Sequence, residues 1–373
     1  MSLHRRDVLK LGSTLAAAAV APNAFAAPNQ ERKNQTSEMK YRRLGRTGYM
    51  VSVIVHGGVP MAPGQNDQCR LALDMGLNYL DSAPAYGRLE GEKGFGEIVQ
   101  QSSMRDKAFI TTKVSVFDMN RASAWQAKFD ELPASDQKKV MTKVQDRITE
   151  RNVKDPDYLP PLGGAPSEID GAYLSNVMEE TYGDKRIRNT YKQTILDSLD
   201  GSLQRLQTDH VDLFFCPHGC SSPEELQIPE ILEAFEIVKK SGKARNFGFS
   251  AHSDPAGVLE EALKHDIFSA AMIAYNVGNA DRVDPVLEKA RKADFGIIAM
   301  KAARAVHPDR RPGMKGPQHF IDRLNKLVPG DMHLAQKAYI QALKNPAIAG
   351  CVSSLKSLDV ARDNLSIVPK NIS

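Results

Sequence analysis

QTILDSLDGSLQRLQTDHVDLFFCPH, residues 193–218, sets the architecture. Its first part, 193–206, carries apolar residues at helical spacing. Its second, 211–216, is a nearly unbroken apolar run of strand length, as expected of a strand covered on both faces. The same kind of run recurs at 51–56, 78–82, 108–114, 244–250, 269–275, 295–301 and 347–353, with helical patterns such as ILEAFEIVKKSGK (231–243) between most of them. Alternation of this kind predicts a parallel sheet with helices outside it, and eight such units predict a closed (β/α)8 TIM barrel. An open doubly wound sheet would want G-x-G-x-x-G after its first strand. Here the first strand runs into HGGVPMAPG (56–64), which lacks that spacing.

One connection is far longer than a βα loop. About 75 residues, 116–191, separate the third strand from the helix near Gln193, and they include the helical stretch SDQKKVMTKVQDRITERN (135–152) and the Pro- and Gly-rich DPDYLPPLGGAPSE (155–168). An insertion that follows a strand belongs on the carboxyl face of the barrel, where barrel active sites form. It is expected to act as a lid or substrate wall, with a subunit contact as the alternative.

The chain has 373 residues, 42% hydrophobic and 25% charged, which fits a globular protein and excludes a disordered or fibrous one. A net charge of +4 with no basic stripe argues against a nucleic-acid partner. At the start, HRRDVLK (4–10) precedes a short apolar run that ends in small residues near 24–26, the layout of a cleaved export signal. The run from 8 to 21 is shorter than the ~20 residues that span a bilayer. Arg5 and Arg6 ahead of it resemble a bacterial twin-arginine signal, with Leu9 and Lys10 in place and His4 and Val8 departing from the pattern. That resemblance implies export by the twin-arginine machinery to the periplasm or cell envelope, with 1–26 as signal, 27–40 as a flexible tether without apolar periodicity, and 41–373 as the barrel.

Four polar residues stand at or beyond strand ends: Asp81, Tyr86, Lys113 and His218. Each alone has an ordinary structural reading, but together they can converge at one barrel mouth. With them in hand the chain resembles the aldo-keto reductase family. The likeness runs through YRRLGRTGYMVS (41–52), GLNYLDSAPAYG (76–87), FITTK (109–113), LDGSLQRLQTDHVDLFFCPH (199–218), GKARNFGFSAHS (242–253), GIIAMK (296–301) and KSLDVARDNL (356–365).

The resemblance implies a barrel that takes NADP(H) or NAD(H) without a Rossmann domain and reduces carbonyls or oxidises alcohols. Tyr86 would be the proton donor, a phenol with a free pKa of about 10 that an ammonium on Lys113 would lower. Asp81 would hold Lys113, and His218 would orient the carbonyl oxygen. The resemblance places Ser250 at the nicotinamide carboxamide, Lys301 at the pyrophosphate, and Ser354, Lys356, Ser357, Arg362 and Asn364 at the adenosine phosphate and adenine, with NADP(H) favoured over NAD(H). Ala251, Met272 and Met300 depart from the family pattern.

Two other functions stay open on the sequence: a nicotinamide-binding sensor or scaffold without turnover, and a non-redox sugar-active barrel using Asp81 and an acid from the insertion. CPHGC (216–220) offers too few well-spaced ligands for a tetrahedral metal site. Its two cysteines, Cys216 and Cys220, either pair in an oxidising compartment or pack as small apolar groups.

Overall fold

The computed structural model describes residues 30–307 and 315–367; the expected signal over 1–26 lies outside the described residues. Eight parallel strands close into a barrel. In chain order they are β1 (Ile54–Gly57), β2 (Tyr79–Asp81), β3 (Phe109–Lys113), β4 (Val211–Phe215), β5 (Ala244–Ala251), β6 (Phe268–Ala274), β7 (Gly296–Met300) and β8 (Ile348–Ser353). Each pairs with its sequence neighbour, and β8 closes on β1 through Cys351–Ile54, Val352–Val55 and Ser353–His56.

The period of two along a strand sorts the side chains. Phe109, Leu213, Phe215, Met272 and Ile298 fill the barrel interior, whereas Ile110, Phe214, Phe247 and Phe249 pack outward against the helices. Space inside is tight where β5 meets β6. A Cβ on Gly248 would lie 2.0 Å from the Ala270 carbonyl oxygen.

The expected first strand, 51–56, is in fact two elements. Tyr49–Ser52 pairs antiparallel with Tyr41–Arg43 in a small sheet that closes the amino end of the barrel, and only Ile54–Gly57 enters the barrel wall. Tyr49 seals this end by stacking on Phe109 at a centroid distance of 4.3 Å. The tether expected over 27–40 is corrected for its described part. Glu31–Arg32 pairs with Tyr49 and Met50, the Asn34 amide donates to the Leu73 and Leu77 carbonyls, and Met39 is buried. Side chain to backbone hydrogen bonds hold this segment, and they leave no apolar period to read.

The insertion is helical, with Phe117–Asp130, Ala134–Arg151 and Pro166–Tyr182 as its long elements. Val140, Val144 and Ile148 recur one turn apart and pack with Trp125, Ile169, Tyr173 and Val177 in a core of their own. Trp125 Nε1 donates to Tyr191 Oη at 2.6 Å and to Glu179 at 2.9 Å, tying this core to the helix Tyr191–Leu206 of the barrel shell. No helix among the described residues is long and apolar enough to cross a membrane.

His56 on β1 faces outward, edge-on to Phe95 at 5.4 Å, fully buried, with Nδ1 at 3.1 Å from the Gly57 carbonyl oxygen and Nε2 unpartnered. Burial pushes its imidazole down to about 4. Below about pH 6.5 the unfolded chain binds a proton that the folded chain refuses, so stability falls with pH, by about 2 kcal/mol from this group at pH 5. Urea denaturation of wild type and His56→Phe at pH 7 and pH 5 checks this: the variant should lose less on acidification, and equal losses would refute the assignment.

Candidate active site

Asp81 closes β2 in phase with inward-facing Tyr79, and Lys113 closes β3 in phase with inward-facing Phe109 and Thr111. Thr111 Oγ1 donates to Tyr79 Oη at 2.6 Å inside the barrel. Both charged side chains are therefore carried to the interior at the carboxyl end. Both are buried, and they form a hydrogen-bonded ion pair. Lys113 Nζ also donates to the Ser82 carbonyl at 3.0 Å and to Tyr86 Oη at 2.9 Å. Tyr86 Oη donates to Asp81 Oδ2 at 3.1 Å. The phenol, the amine and the carboxylate thus form a closed triangle. Burial pushes the Asp81 carboxyl up and the Lys113 amine down, against the mutual attraction that favours both charges.

Tyr86 sits in the loop between β2 and the helix Glu90–Val99. That loop lies so close to the helix that a Cβ on Gly91 would be 2.8 Å from the Gly58 carbonyl oxygen and 2.9 Å from Tyr86 Cβ. His218, beyond β4, lies edge-on to Tyr86 with 5.9 Å between ring centroids. Its Nδ1 is 2.8 Å from Ser115 Oγ, which also accepts from the Ala85 amide at 3.1 Å. Burial, then Lys113 and Lys301, hold the His218 imidazole well below the usual range, so it is neutral near pH 7. All four expected residues meet at the barrel mouth.

Tyr86 and His218 line a pocket of about 670 Å³ whose other wall is the insertion, through Asp118, Arg121, Ser167 and Glu168, while Asp81 and Lys113 lie buried behind Tyr86. Asp118 accepts from the Gly219 amide at 2.8 Å, and burial beside Glu225 pushes its carboxyl up to about 7. The insertion also crosses to the far side of the mouth. There the Asn276 amide donates to the Pro161 carbonyl at 2.8 Å and Lys301 Nζ to the Gly163 carbonyl at 3.1 Å.

The residues assigned to a nucleotide do not form one cluster. Ser250 is buried at the end of β5 with its hydroxyl 3.9 Å from Met300 Sδ. Ser354, Lys356, Ser357 and Arg362 are exposed around the start of the helix Leu358–Leu365, which Ser357 caps by accepting from the Val360 amide. Asn364 is buried and donates to Ser353 Oγ at 2.9 Å. Ala251, named for the Asn it replaces, packs outward with the helices. Cys216 and Cys220 are both buried and unpaired in this structure.

Among the pocket residues that went unread in the sequence are Ser115, Asp118 and His252. For Ser115 and His252 a signal existed. Ser115 lies two residues beyond Lys113 and His252 two beyond Ser250, each continuing the inward phase of its strand.

The aldo/keto reductase family model matches residues 59–156 and 178–369. The uncharacterized oxidoreductase YqkF of Bacillus subtilis (strain 168) is 22% identical over 344 residues, covering 88% of this chain and 90% of that protein. Methylglyoxal reductase DkgB of Escherichia coli O157:H7 is 30% identical over 122 residues, covering 32% of this chain and 40% of that protein. Among solved structures, the holo form of aldo-keto reductase AKR11C1 from Bacillus halodurans superposes with a TM-score of 0.57 at 19% identity, covering 88% of this chain and 91% of that one. An aldo-keto reductase from Klebsiella pneumoniae in complex with NADPH gives 0.57 at 17% identity, covering 90% and 91%. At these identities the structural likeness shows the fold.

Proposed function

The chain belongs to the aldo/keto reductase family, and from that premise we propose that it is an NADP(H)-dependent oxidoreductase that reduces a small carbonyl, with Tyr86 as acid and, in reverse, as base. The observation that carries this is the triangle of Tyr86, Lys113 and Asp81, of which Tyr86 lines the pocket beside His218. The cofactor's phosphates fit the exposed donors: Lys356 and Arg362, with hydroxyls at Ser354 and Ser357, suit an anionic nucleotide phosphate, while Ser250, assigned to the carboxamide, is buried. When bound, NADPH supplies the hydride.

The chain's own residues manage the proton. As negative charge grows on the carbonyl oxygen, Tyr86 Oη gives it a proton. Lys113, donating to the same phenol oxygen, stabilises the phenolate left behind, and Asp81 keeps the amine charged and aimed. Ser115 sets the histidine. Its oxygen accepts from Ala85 and lies 2.8 Å from His218 Nδ1; with the hydroxyl proton given to Nδ1, the ring proton stands on Nε2 to meet the substrate oxygen. Ser115→Ala removes the neutral hydrogen bond to His218, along with the one from the Ala85 amide, and the loss at His218 should lower kcat by roughly 2- to 12-fold. Steady-state kinetics check this, and an unchanged kcat would remove Ser115 from the account.

NADPH consumption on adding an aldehyde or ketone tests the activity itself. Fluorescence titration with NADPH and NADH tests the cofactor preference. Lys356→Ala with Arg362→Ala should weaken NADPH by about 10-fold or more and NADH less, since only NADPH carries the 2′-phosphate. Equal weakening would assign these residues to the shared part of the nucleotide.

We further propose that residues 1–26 direct twin-arginine export, so that the enzyme works in the periplasm or cell envelope. Arg5 and Arg6 support this reading. Fused to a reporter, 1–26 should carry it out of the cytoplasm, and Arg5→Lys with Arg6→Lys should retain it; export of both would contradict the assignment. The insertion is proposed as the substrate wall, on the strength of its four pocket-lining residues named above.

A further inference from the structure

His252 lies just beyond β5, on the same side of the mouth as Ser250. Its ring is edge-on to His218 with 5.9 Å between centroids, and His218 is in turn edge-on to Tyr86 at the same spacing. The two histidines differ in one respect. His218 is engaged at Nδ1 by Ser115, whereas His252 makes no hydrogen bond among the described residues. Its nitrogens are not among the buried polar atoms left unsatisfied, and the ring lines the pocket, so they open toward whatever fills it. A substrate that covered this ring without bonding to it would strand a polar group, at a cost comparable to a lost hydrogen bond.

We infer that His252 hydrogen-bonds a second oxygen of the substrate, carried on the carbon next to the carbonyl, so that the enzyme selects α-hydroxy carbonyl compounds over their deoxy analogues. Two imidazoles with ring centroids 5.9 Å apart can each hold one of two oxygens on adjoining carbons at an ordinary length of about 2.9 Å. The rest of the pocket agrees: Ser115, Asp118, Ser167 and Glu168 continue the polar wall, and Val59 and Met119 are the large aliphatic side chains in it. This inference rests on the reductase reading of the same pocket.

Hydroxyacetone and 2-butanone test it, since they differ only by a hydroxyl in place of a methyl. The ratio of their kcat/KM values should fall by about 10-fold or more from wild type to His252→Phe, because a site built around a hydroxyl discriminates strongly against its absence. His252→Gln, which can still donate and accept, should keep part of the ratio. Because the comparison is between enzymes, the different intrinsic reactivities of the two ketones cancel. A readout without turnover is the NMR shift of the His252 ring protons, which 1,2-propanediol should move and 2-butanol should not. An unchanged ratio in His252→Phe, or a rise in the KM for NADPH with the ratio intact, would overturn the inference and leave the reductase reading standing. A wild type that consumes no NADPH with any aldehyde or ketone would bring down both.

Discussion

Tyr86→Phe is expected to lower kcat for carbonyl reduction by about 10²- to 10⁴-fold, the usual worth of a positioned general acid. The substitution removes one oxygen and keeps the ring, so the edge contact with His218 at 5.9 Å is preserved. Asp81 and Lys113 each lose one hydrogen bond but retain each other, and Lys113 keeps the Ser82 carbonyl. The loss should therefore fall on the chemical step and spare the fold. Steady-state kinetics together with a denaturation curve separate the two. A kcat within a few-fold of wild type would mean that another group delivers the proton.

The second large effect is on stability. Lys113→Met leaves the Asp81 carboxylate buried with only Tyr86 as partner, and breaking a buried pair from one side costs about 3–5 kcal/mol. The pH dependence gives the loss a signature. Burial already pushes the Asp81 carboxyl up, and the amine that opposes this is gone in the variant, so the folded chain holds a proton that the unfolded chain releases. A raised carboxyl favours folding at low pH and loses that contribution as pH rises, so the deficit should shrink as pH falls toward the ordinary carboxyl range of about 4. Adding Asp81→Leu to Lys113→Met should recover much of the loss, since two apolar groups can replace a buried pair at little cost. Urea denaturation at pH 7 and pH 5 checks all three, and a Lys113→Met protein as stable as wild type at pH 7 would contradict the buried-pair reading.

The barrel was legible because its strands are buried on both faces. Runs such as FITTK and VDLFFC have no other comfortable place, and the phase of two then carries Lys113 inward with Phe109 and Thr111. Asp81 and Tyr86 stood out as polar residues at and beyond a strand end, but their roles came from the family likeness, since nothing in periodicity says that a loop five residues past a carboxylate will fold its phenol back onto it. What the sequence hid falls into two kinds. The segment 30–40 is held by polar bonds such as Asn34 to Leu73 and Leu77, which leave no pattern. The helices Phe117–Asp130 and Pro166–Tyr182 pack against each other, the shell and the pocket, so their contacts spread around the helix and no single apolar stripe stands out. His252 carries the inward phase of β5 one step past Ser250 into the pocket, while its neighbour Ala251 faces the helices.

The central claim is that this mouth transfers a hydride to a carbonyl carbon while Tyr86 supplies the proton. The direct measurement is to supply NADPH deuterated at the transferring position of nicotinamide C4 with hydroxyacetone, and to locate the label in the product by mass spectrometry and NMR. The account requires deuterium on the new carbinol carbon with wild type, and the same product formed far more slowly with Tyr86→Phe. Product without deuterium, or label transferred at the wild-type rate by Tyr86→Phe, would contradict it.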